Sequence, residues 1–436
     1  MSQISPALAA LQAAVRRCTV AGSDKDPAQF EGLHGDLRAH FPRLFEACES
    51  VDLPDHALLL RWRGSGDERP VVLMAHQDVV PVNSRDDWTH PAYEAVVADG
   101  FLWGRGALDC KGSLIAICAA VEQLIVKGVI PSRDVWLSFS SDEEIAGHTA
   151  PAAVTKLKQR GVEPWFVLDE GGMAVTGVFP GVDAPLAVIG LAEKGLVVVR
   201  LTARAEGGHA SMPPRRSAPA ILAKAILALE KHPAPSNLTE PSLRMLETIA
   251  PHARAPVRQL LSRAGSMRKP LTQLLARTGP ATAAMVRTTY AVTQLEGSPA
   301  QNVLATDASA TVNVRVSIDE SAEKAVARIR RILGDDNEVA VLTSYDPSPV
   351  AAMGDAYELI ASVTEQVMPD VVPTPYVVMA ATDARHFQRE WPDCYRFNPF
   401  RMTASQRESL HNVDERLEVS SFEEGIRWYT TLLTQI

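Results

Sequence analysis

The hydrophobic positions between about residues 58 and 180 alternate between short continuous runs and longer stretches with helical spacing. Four short runs fit strands that are buried on both faces: residues 58–62, 71–75, 135–139 and 165–168. Residues 112–126 and about 150–160 have the spacing of helices. Strands that alternate with helices in this way predict an α/β domain with a mostly parallel central sheet.

The pattern changes near residue 191. Four later stretches read as strands, and residues 219–230 and 321–333 read as helices; the strands are 195–203, 289–295, 308–317 and 338–345. Their order, β-α-β-β-α-β, predicts a ferredoxin-like α+β sandwich. Residues of about 236–286 are rich in Arg, Leu and Ala and predict a helical insert, whose cationic face we expect to be solvated surface.

The α/β pattern returns after residue 349. Residues 355–367 and 422–433 predict helices, and residues 376–379 and 394–397 predict strands. The chain is therefore predicted to form a discontinuous domain, with the ferredoxin-like sandwich inserted into it. Three segments are predicted: residues 1–190, residues 191–347 as the insertion, and residues 348–436.

Composition excludes several classes of protein. The net charge of −9 and the lack of a dense basic run argue against nucleic acid as a partner. No run approaches the roughly 18–20 apolar residues that a membrane-spanning helix needs, and residues 1–18 lack a basic start and a clear cleavage signal. Five cysteines without a CxxC pair argue against disulfides or a cysteine zinc site. A cytoplasmic protein without membrane partners is expected.

Acidic and imidazole side chains follow the ends of the predicted strands. His76 comes directly after one strand, Glu143 and Glu144 follow another, and Asp169 ends a third. Open α/β sheets bind ligands beyond the carboxyl ends of their strands, so these side chains are expected to meet at one edge. Asp109, in a glycine-containing loop, can reach the same edge. With His411 added, the set has the ligands that a two-zinc hydrolase needs.

Each of these residues has a structural alternative when taken alone. A strand-end His with a solvated Asp would explain His76 and Asp78, and a helix N-cap would explain Asp109. A solvated acidic loop or a helix N-terminus would explain Glu143 and its neighbour. Turn or loop positions would explain the others. The joint occurrence of the residues, in this order and at strand ends, favours a single site.

A resemblance to a known family rests on six strings, which are VVLMAHQDVVPV, WGRGALDCKG, SDEEIAG, VLDEGG, GGHASMP and SLHNVDE. They are similar to motifs of the co-catalytic zinc exopeptidases and amidohydrolases. That family includes Gly-X carboxypeptidase, glutamate carboxypeptidase, aminoacylase and succinyl-diaminopimelate desuccinylase. The resemblance extends from about residue 70 to the C-terminus.

The resemblance implies a division of roles at the metal site. His76 and Asp169 would bind one zinc ion, Glu144 and His411 would bind the other, and Asp109 would bridge the two. The peptide bond after the bridging residue is often cis in this family. The resemblance also gives two supporting roles, with Glu143 as the general base and Asp78 as the residue that orients the first imidazole. Zinc is the default metal, although such donors also accept Co²⁺ or Mn²⁺.

The resemblance also implies residues that contact the substrate. His209 matches an imidazole of the inserted lid domain that family dimers place in the partner's site, where it stabilises the oxyanion, so a homodimer is expected. Asn302 matches a residue that contacts substrate, Arg385 matches one that often binds a substrate carboxylate, and Arg315 is a weaker candidate. Ala380-Ala381 stand where the family usually has Gly-Gly, which predicts a different backbone shape in this loop.

The predicted reaction is metal-assisted hydrolysis of an amide bond next to a free carboxylate. A carboxypeptidase or dipeptidase of short peptides is one interpretation, and an N-acyl-amino-acid amidohydrolase is the alternative. The helical insert and the string TDARH favour the carboxypeptidase group. A third interpretation, from another class, is a catalytically silent metal-binding and dimerisation module.

Overall fold

The computed structural model describes residues 5–83 and 85–436. The strands of this part of the chain are β1 Glu49–Asp52, β2 Leu58–Trp62, β3 Glu68–His76, β4 Val96–Ala98, β5 Phe101–Trp103, β6 Arg133–Ser140, β7 Phe166–Asp169, β8 Ala174–Val175, β9 Leu186–Glu193, β10 Gly195–Arg204, β11 Gly208–His209, β12 Thr289–Glu296, β13 Val303–Leu304, β14 Asp307–Val316, β15 Glu338–Tyr345, β16 Val372–Val378, β17 Cys394–Arg396, β18 Arg401–Met402 and β19 Arg416–Glu418.

The helices of the same residues are α1 Pro6–Val15, α2 Pro27–His40, α3 Pro42–Ala47, α4 Lys111–Val126, α5 Thr149–Gln159, α6 Ala218–Lys231, α7 Glu240–Ile249, α8 Val257–Leu261, α9 Arg268–Thr278, α10 Pro280–Val286, α11 Ala322–Leu333, α12 Asp355–Val367, α13 Ala384–Gln388, α14 Ala404–Ser409 and α15 Val419–Thr434. No helix among the described residues is both long enough and apolar enough to cross a membrane.

The central sheet has ten strands in the order β1-β2-β6-β3-β7-β17-β9-β8-β18, with β16 beside β9. The strands β6, β3, β7 and β17 pair in parallel at its centre. Side chains from the two faces of β3 enter two separate hydrophobic clusters, which explains its continuous apolar run. Helices α4 and α15 cover one face, and α5 and α13 cover the other. The predicted α/β fold with a mostly parallel sheet is confirmed.

A second sheet has four antiparallel strands in the order β12-β14-β10-β15. Its apolar side chains pack with those of α6 and α11 in a separate cluster. The order of elements along the chain is the β-α-β-β-α-β order of the sequence analysis. Strand β9 of the central sheet continues to Glu193, three residues beyond the predicted boundary at residue 190, before β10 begins at Gly195. The predicted helical insert contains α7 to α10.

Candidate active site

Three neighbouring strands of the central sheet deliver polar side chains to one edge. β3 lies between β6 and β7 and pairs in parallel with both, so the carboxyl ends of all three strands meet there. His76 is the last residue of β3, and Glu143 begins a short 3-10 turn just after β6. Asp169 is the last residue of β7. The predicted arrangement of the strand ends is therefore present.

Asp109 lies between two imidazoles. Its Oδ1 is 2.9 Å from Nε2 of His76, and its Oδ2 is 3.1 Å from Nε2 of His411. The His411 nitrogen also lies 3.2 Å from Oε2 of Glu144. The peptide bond between Asp109 and Cys110 is cis, as the resemblance predicted. The structure thus brings together four of the five predicted metal ligands, and these four form the imidazole cluster: His76, Asp109, Glu144 and His411.

The fifth predicted ligand, Asp169, is directed elsewhere. Its Oδ2 accepts a hydrogen bond of 2.8 Å from the backbone N–H of Ala384, at the start of α13. Val167 and Asp169 lie on the face of β7 that packs on α13, because side chains alternate along a strand. The next residue, Glu170, points toward the imidazoles, and its Oε1 lies 3.5 Å from Nε2 of His76. The structure therefore places Glu170 where the sequence analysis placed Asp169.

The second glycine after Glu170, Gly172, has a steric reason. A Cβ atom on Gly172 would overlap the carbonyl oxygen of Val188 on β9. Only glycine lets the chain pass this close to the neighbouring strand. The string VLDEGG thus combines a strand end, a side chain that faces the imidazoles and a close crossing. It contained the signal for Glu170, but the periodicity of a strand could not decide between two adjacent acidic residues.

Asp78 supports both the imidazole of His76 and the acidic loop that carries Glu143 and Glu144. Nδ1 of His76 lies 2.9 Å from the backbone carbonyl of Asp78, which can only accept, so this nitrogen donates and Nε2 keeps its lone pair for a metal. The Asp78 carboxylate accepts hydrogen bonds from the backbone N–H groups of Glu143 and Glu144, at 3.2 and 3.0 Å. Its role in the structure is therefore wider than the orienting role that the resemblance implied.

Glu143 lies between the imidazole cluster and Arg385. Its Oε1 is 4.0 Å from Nη1 of Arg385, and both side chains are largely buried. Burial and the nearby carboxylate of Asp383 raise the pKa of Glu143 well above its usual value. A carboxylate with a raised pKa can hold a proton more readily, which suits a group that takes and returns one. The structure thus places the predicted general base beside the predicted carboxylate-binding residue.

The predicted residues of the small sheet lie apart from this cluster. β11 pairs with β13 in a two-stranded ribbon, where the exposed His209 lies opposite Val303, and the exposed Asn302 directly precedes β13. Nδ1 of His209 lies 2.8 Å from Oγ of Ser211. Arg315 is a half-buried residue of β14, and it pairs across the sheet with Leu196. Within residues 5–83 and 85–436, no hydrogen bond or ion pair joins these three side chains to the imidazole cluster.

The donor set fits divalent cations. Ligand atoms of His76, Asp109 and Glu144 lie within 4.8 Å of one another, as do those of His76, Cys110 and Glu170. The Oε1 atom of Glu144 is buried without a hydrogen-bond partner. Burial and the nearby Asp109 raise the pKa of Glu170 to about 8. Buried carboxylates this close repel one another, and a dication would offset that repulsion.

Comparison with known proteins identifies the family. Residues 72–435 match peptidase family M20/M25/M40. The chain belongs to this family. The match confirms the predicted class of metal-dependent peptidases and amidohydrolases.

Two curated relatives and one solved structure illustrate the similarity. The chain is 32% identical over 417 residues to a "probable carboxypeptidase S-like 2" of Dictyostelium discoideum, covering 94% of this chain and 80% of the relative. It is 34% identical over 407 residues to the "N-fatty-acyl-amino acid synthase/hydrolase PM20D1.1" of Danio rerio, covering 91% and 79%. The M20 family metallo-carboxypeptidase Sso-CP2 from Sulfolobus solfataricus shares the fold, with a TM-score of 0.73, 16% identity and 99% coverage of both chains.

A buried ion pair between Arg105 and Glu415, without a predicted role, holds the Asp109 loop. The Glu415 carboxylate accepts hydrogen bonds of 2.9–3.1 Å from the backbone N–H groups of Gly106, Leu108 and Asp109. It also accepts one of 2.8 Å from Nη1 of Arg105, whose Nη2 donates to the carbonyl of Asn412, next to His411. The pair thus ties two ligand-bearing loops together. The strings WGRG and NVDE contain both residues.

Proposed function

We propose that the protein is a di-zinc hydrolase that cleaves an amide or peptide bond next to a free carboxylate, as a carboxypeptidase or dipeptidase of short peptides. One observation carries the proposal: a carboxylate lies between two imidazoles, beside a buried Glu143 that is itself 4.0 Å from the guanidinium of Arg385. A metal-binding set, a proton carrier and a cation for the substrate carboxylate occupy the same edge of the sheet.

The proposed metal ligands include Glu170, which faces the His76 imidazole, in place of Asp169, which accepts a hydrogen bond from the Ala384 N–H. His76 and Glu170 would hold one ion, Glu144 and His411 the other, and Asp109 would be shared. Zinc suits this set of imidazole and carboxylate donors, and Co²⁺ or Mn²⁺ would also bind to it. When bound, the ions would lower the pKa of a water molecule and polarise the amide carbonyl.

The residues of the chain would divide the remaining work. Glu143 would accept a proton from the attacking water and return it to the leaving amine, which its buried position and raised pKa support. Arg385 would bind the substrate carboxylate through the planar fork of its guanidinium. His209 would stabilise the oxyanion from the second subunit of a homodimer, and Asn302, which directly precedes β13 of the same ribbon, would contact the substrate.

A second candidate is the hydrolysis of N-acyl amino acids. The relative from Danio rerio, at 34% identity, is named an N-fatty-acyl-amino acid synthase/hydrolase. An N-acyl amino acid presents the same amide bond beside a free carboxylate, so Arg385 and Glu143 would serve both reactions. The difference between the candidates lies in the group on the nitrogen side of the scissile bond.

A substrate comparison tests the proposal. Zinc-loaded protein would be assayed on Gly-Leu, N-acetyl-leucine and N-oleoyl-leucine, and on the leucinamide form of each. We expect hydrolysis of the free acids to exceed that of the amides and to stop after chelation and return with zinc. Activity that survives complete metal removal would overturn the proposal. Tight metal binding without turnover of any substrate would instead support the silent metal-binding module.

A matched pair of variants tests the ligand assignment. Glu170→Gln is expected to weaken metal binding at one position by about 100-fold or more. Loss of a residue that only hydrogen-bonds to a metal ligand already weakens binding by about 10–100-fold. Asp169→Asn, one residue away, keeps an oxygen that can accept the Ala384 N–H and should retain two metal ions. Metal content after dialysis and competitive chelator titration provide the measurement. The opposite result would return the ligand role to Asp169.

A further inference from the structure

Glu193 lies where the chain crosses between the two sheets. It ends β9 of the central sheet, and β10 of the small sheet begins two residues later. The returning chain passes beside it: the Glu193 N–H donates to Oγ of Ser348 at 2.8 Å, and the Ser348 N–H donates to the Glu193 carbonyl at 3.2 Å. Both connections between the sheets are therefore hydrogen-bonded to each other at this residue.

The side chain of Glu193 points into the central domain and is 1% exposed. Its Oε1 accepts hydrogen bonds from Oγ of Thr382 at 2.7 Å and from Nε of Arg396 at 2.6 Å. Its Oε2 accepts one from the Thr382 N–H at 3.0 Å. A buried carboxylate with three donors fixes the groups that donate to it, because breaking any of these bonds leaves a buried polar atom unpaired.

Thr382 in turn holds Arg385. The carbonyl of Thr382 accepts a hydrogen bond of 2.8 Å from Nη1 of Arg385, and this same nitrogen is the one that lies 4.0 Å from Glu143. On its other side, the guanidinium lies 5.9 Å from the ring of Tyr345, the last residue of β15 in the small sheet. The arginine therefore contacts groups whose positions both depend on the crossing between the sheets.

We propose that Glu193 is a positioning residue that sets the place of the Arg385 guanidinium through Thr382, and thereby sets the preference for substrates with a free carboxylate. The inference rests on the proposed function. A bidentate arginine recognises a carboxylate only within a narrow range of distances and angles, so a small displacement of its support weakens recognition. Glu193 belongs to one connection between the sheets and is hydrogen-bonded to the other through Ser348. A rotation of the small sheet would therefore displace Glu193, Thr382 and, through them, the Arg385 guanidinium.

A purely structural role for the Glu193–Arg396 ion pair is the competing explanation. Removing Glu193 would leave a buried arginine unpaired and destabilise the whole domain, which would not separate the two roles. Thr382 does separate them. Thr382→Val keeps the shape of the side chain and removes only the hydroxyl, and Arg396 keeps its carboxylate partner. Thr382→Ser keeps the hydroxyl and is the matched control.

The measurement is the ratio of kcat/KM for a substrate with a free carboxylate to that for its C-terminal amide. In Thr382→Val we expect this ratio to fall about tenfold, the size of one hydrogen bond to a charged group, through a higher KM for the acid. The value for the amide should change little, and Thr382→Ser should keep the wild-type ratio. In Arg385→Ala the ratio should fall to its minimum, and adding Thr382→Val to that variant should lower it no further.

Two outcomes separate this inference from the proposed function. A wild-type ratio near one would show that the protein does not recognise the substrate carboxylate, which would overturn both this part of the proposed function and the inference. A large wild-type ratio that Thr382→Val leaves unchanged, with metal content and melting temperature also unchanged, would overturn the inference alone. Should Thr382→Val not fold, Thr382→Ala is a second variant with the same expected fall in the ratio, because it also removes the hydroxyl and leaves the carboxylate partner of Arg396 in place.

Discussion

The imidazole cluster of the central sheet and the ribbon of the small sheet are built in opposite ways. In the cluster, His76 is 1% exposed, and its two ring nitrogens face Asp78 and Asp109. On the ribbon, His209 is exposed, and its ring contacts only the nearby Ser211 among the hydrogen bonds of the described residues. The cluster is arranged in advance within one chain, whereas the His209 side chain on the ribbon is open to solvent.

This difference separates two sources of catalytic effect. Buried groups that are held by hydrogen bonds need no reorganisation when charge develops, so their removal should affect chemistry or metal binding directly. An exposed side chain contributes only after a movement or an association has delivered it. Variants of Glu143 and Glu415 test the buried cluster, and variants of His209 test the ribbon.

The largest effect is expected from Glu143, at the centre of the buried cluster. Glu143→Gln keeps the shape of the side chain and removes its ability to accept a proton. We expect kcat to fall by about 10³-fold, within the range for a lost general acid–base group, while metal content stays at the wild-type value. The measurement combines steady-state kinetics with metal analysis. Retained activity would assign proton transfer to another residue.

A smaller effect is expected from His209, on the ribbon. His209→Ala should lower kcat by about 10²-fold, the effect of losing one oxyanion donor. Metal content and melting temperature should stay unchanged, because the side chain is exposed. A lower kcat with unchanged metal content and melting temperature would show that His209 acts on the reaction and not on the stability of the fold.

Subunit exchange sharpens the test of the ribbon. If the imidazole acts in the partner's site, mixing the Glu143→Gln and His209→Ala proteins, each of low activity, under conditions that allow exchange should raise the activity above that of either protein alone. A mixed dimer would then hold one site with both a wild-type Glu143 and a wild-type His209. The absence of any recovery, with exchange shown by a mass label, would place the action of His209 within its own chain.

The sequence predicted the cluster better than its supports, for a physical reason. Strand-end residues such as His76 are fixed by the periodicity of one local segment, and neighbouring parallel strands bring their ends together. The choice between Asp169 and Glu170 depends on which face of β7 meets α13, which periodicity alone does not reveal. Glu415 and Glu193 act on backbone groups far away in the sequence, so the local pattern around each of them does not reveal which groups it holds.

Glu415 tests whether the cluster depends on those distant supports. Glu415→Gln keeps the volume but replaces one acceptor oxygen with a donor, which opposes the N–H groups of the Asp109 loop. We expect metal affinity to fall by about tenfold, at the lower end of the range for supporting residues. Competitive chelator titration measures it. At saturating metal, kcat should largely recover, whereas the kcat of Glu143→Gln should not.

The smallest effect is a change of stability with pH in the metal-free protein. Hydrogen bonds with Asp109 and Glu144 raise the pKa of His411 to about 10, and burial near Asp109 raises that of Glu170 to about 8. Both values exceed those of the unfolded chain, about 6.5 and 4.3. The stability that comes from protonation is therefore lost as the pH rises toward these folded-state values, and the melting temperature should fall between about pH 6 and 9.

Metal binding should reverse this trend, because the bound ligands are already deprotonated. The gap in melting temperature between zinc-loaded and chelator-treated protein should widen from pH 6 to pH 9. His411 is exposed to solvent, so its share of the change is small, and His411→Gln should reduce the slope of the metal-free protein only in part. His209→Gln, at an exposed position outside the cluster, is the matched control variant. A metal-free protein that gains stability over this range would show that other groups dominate its titration.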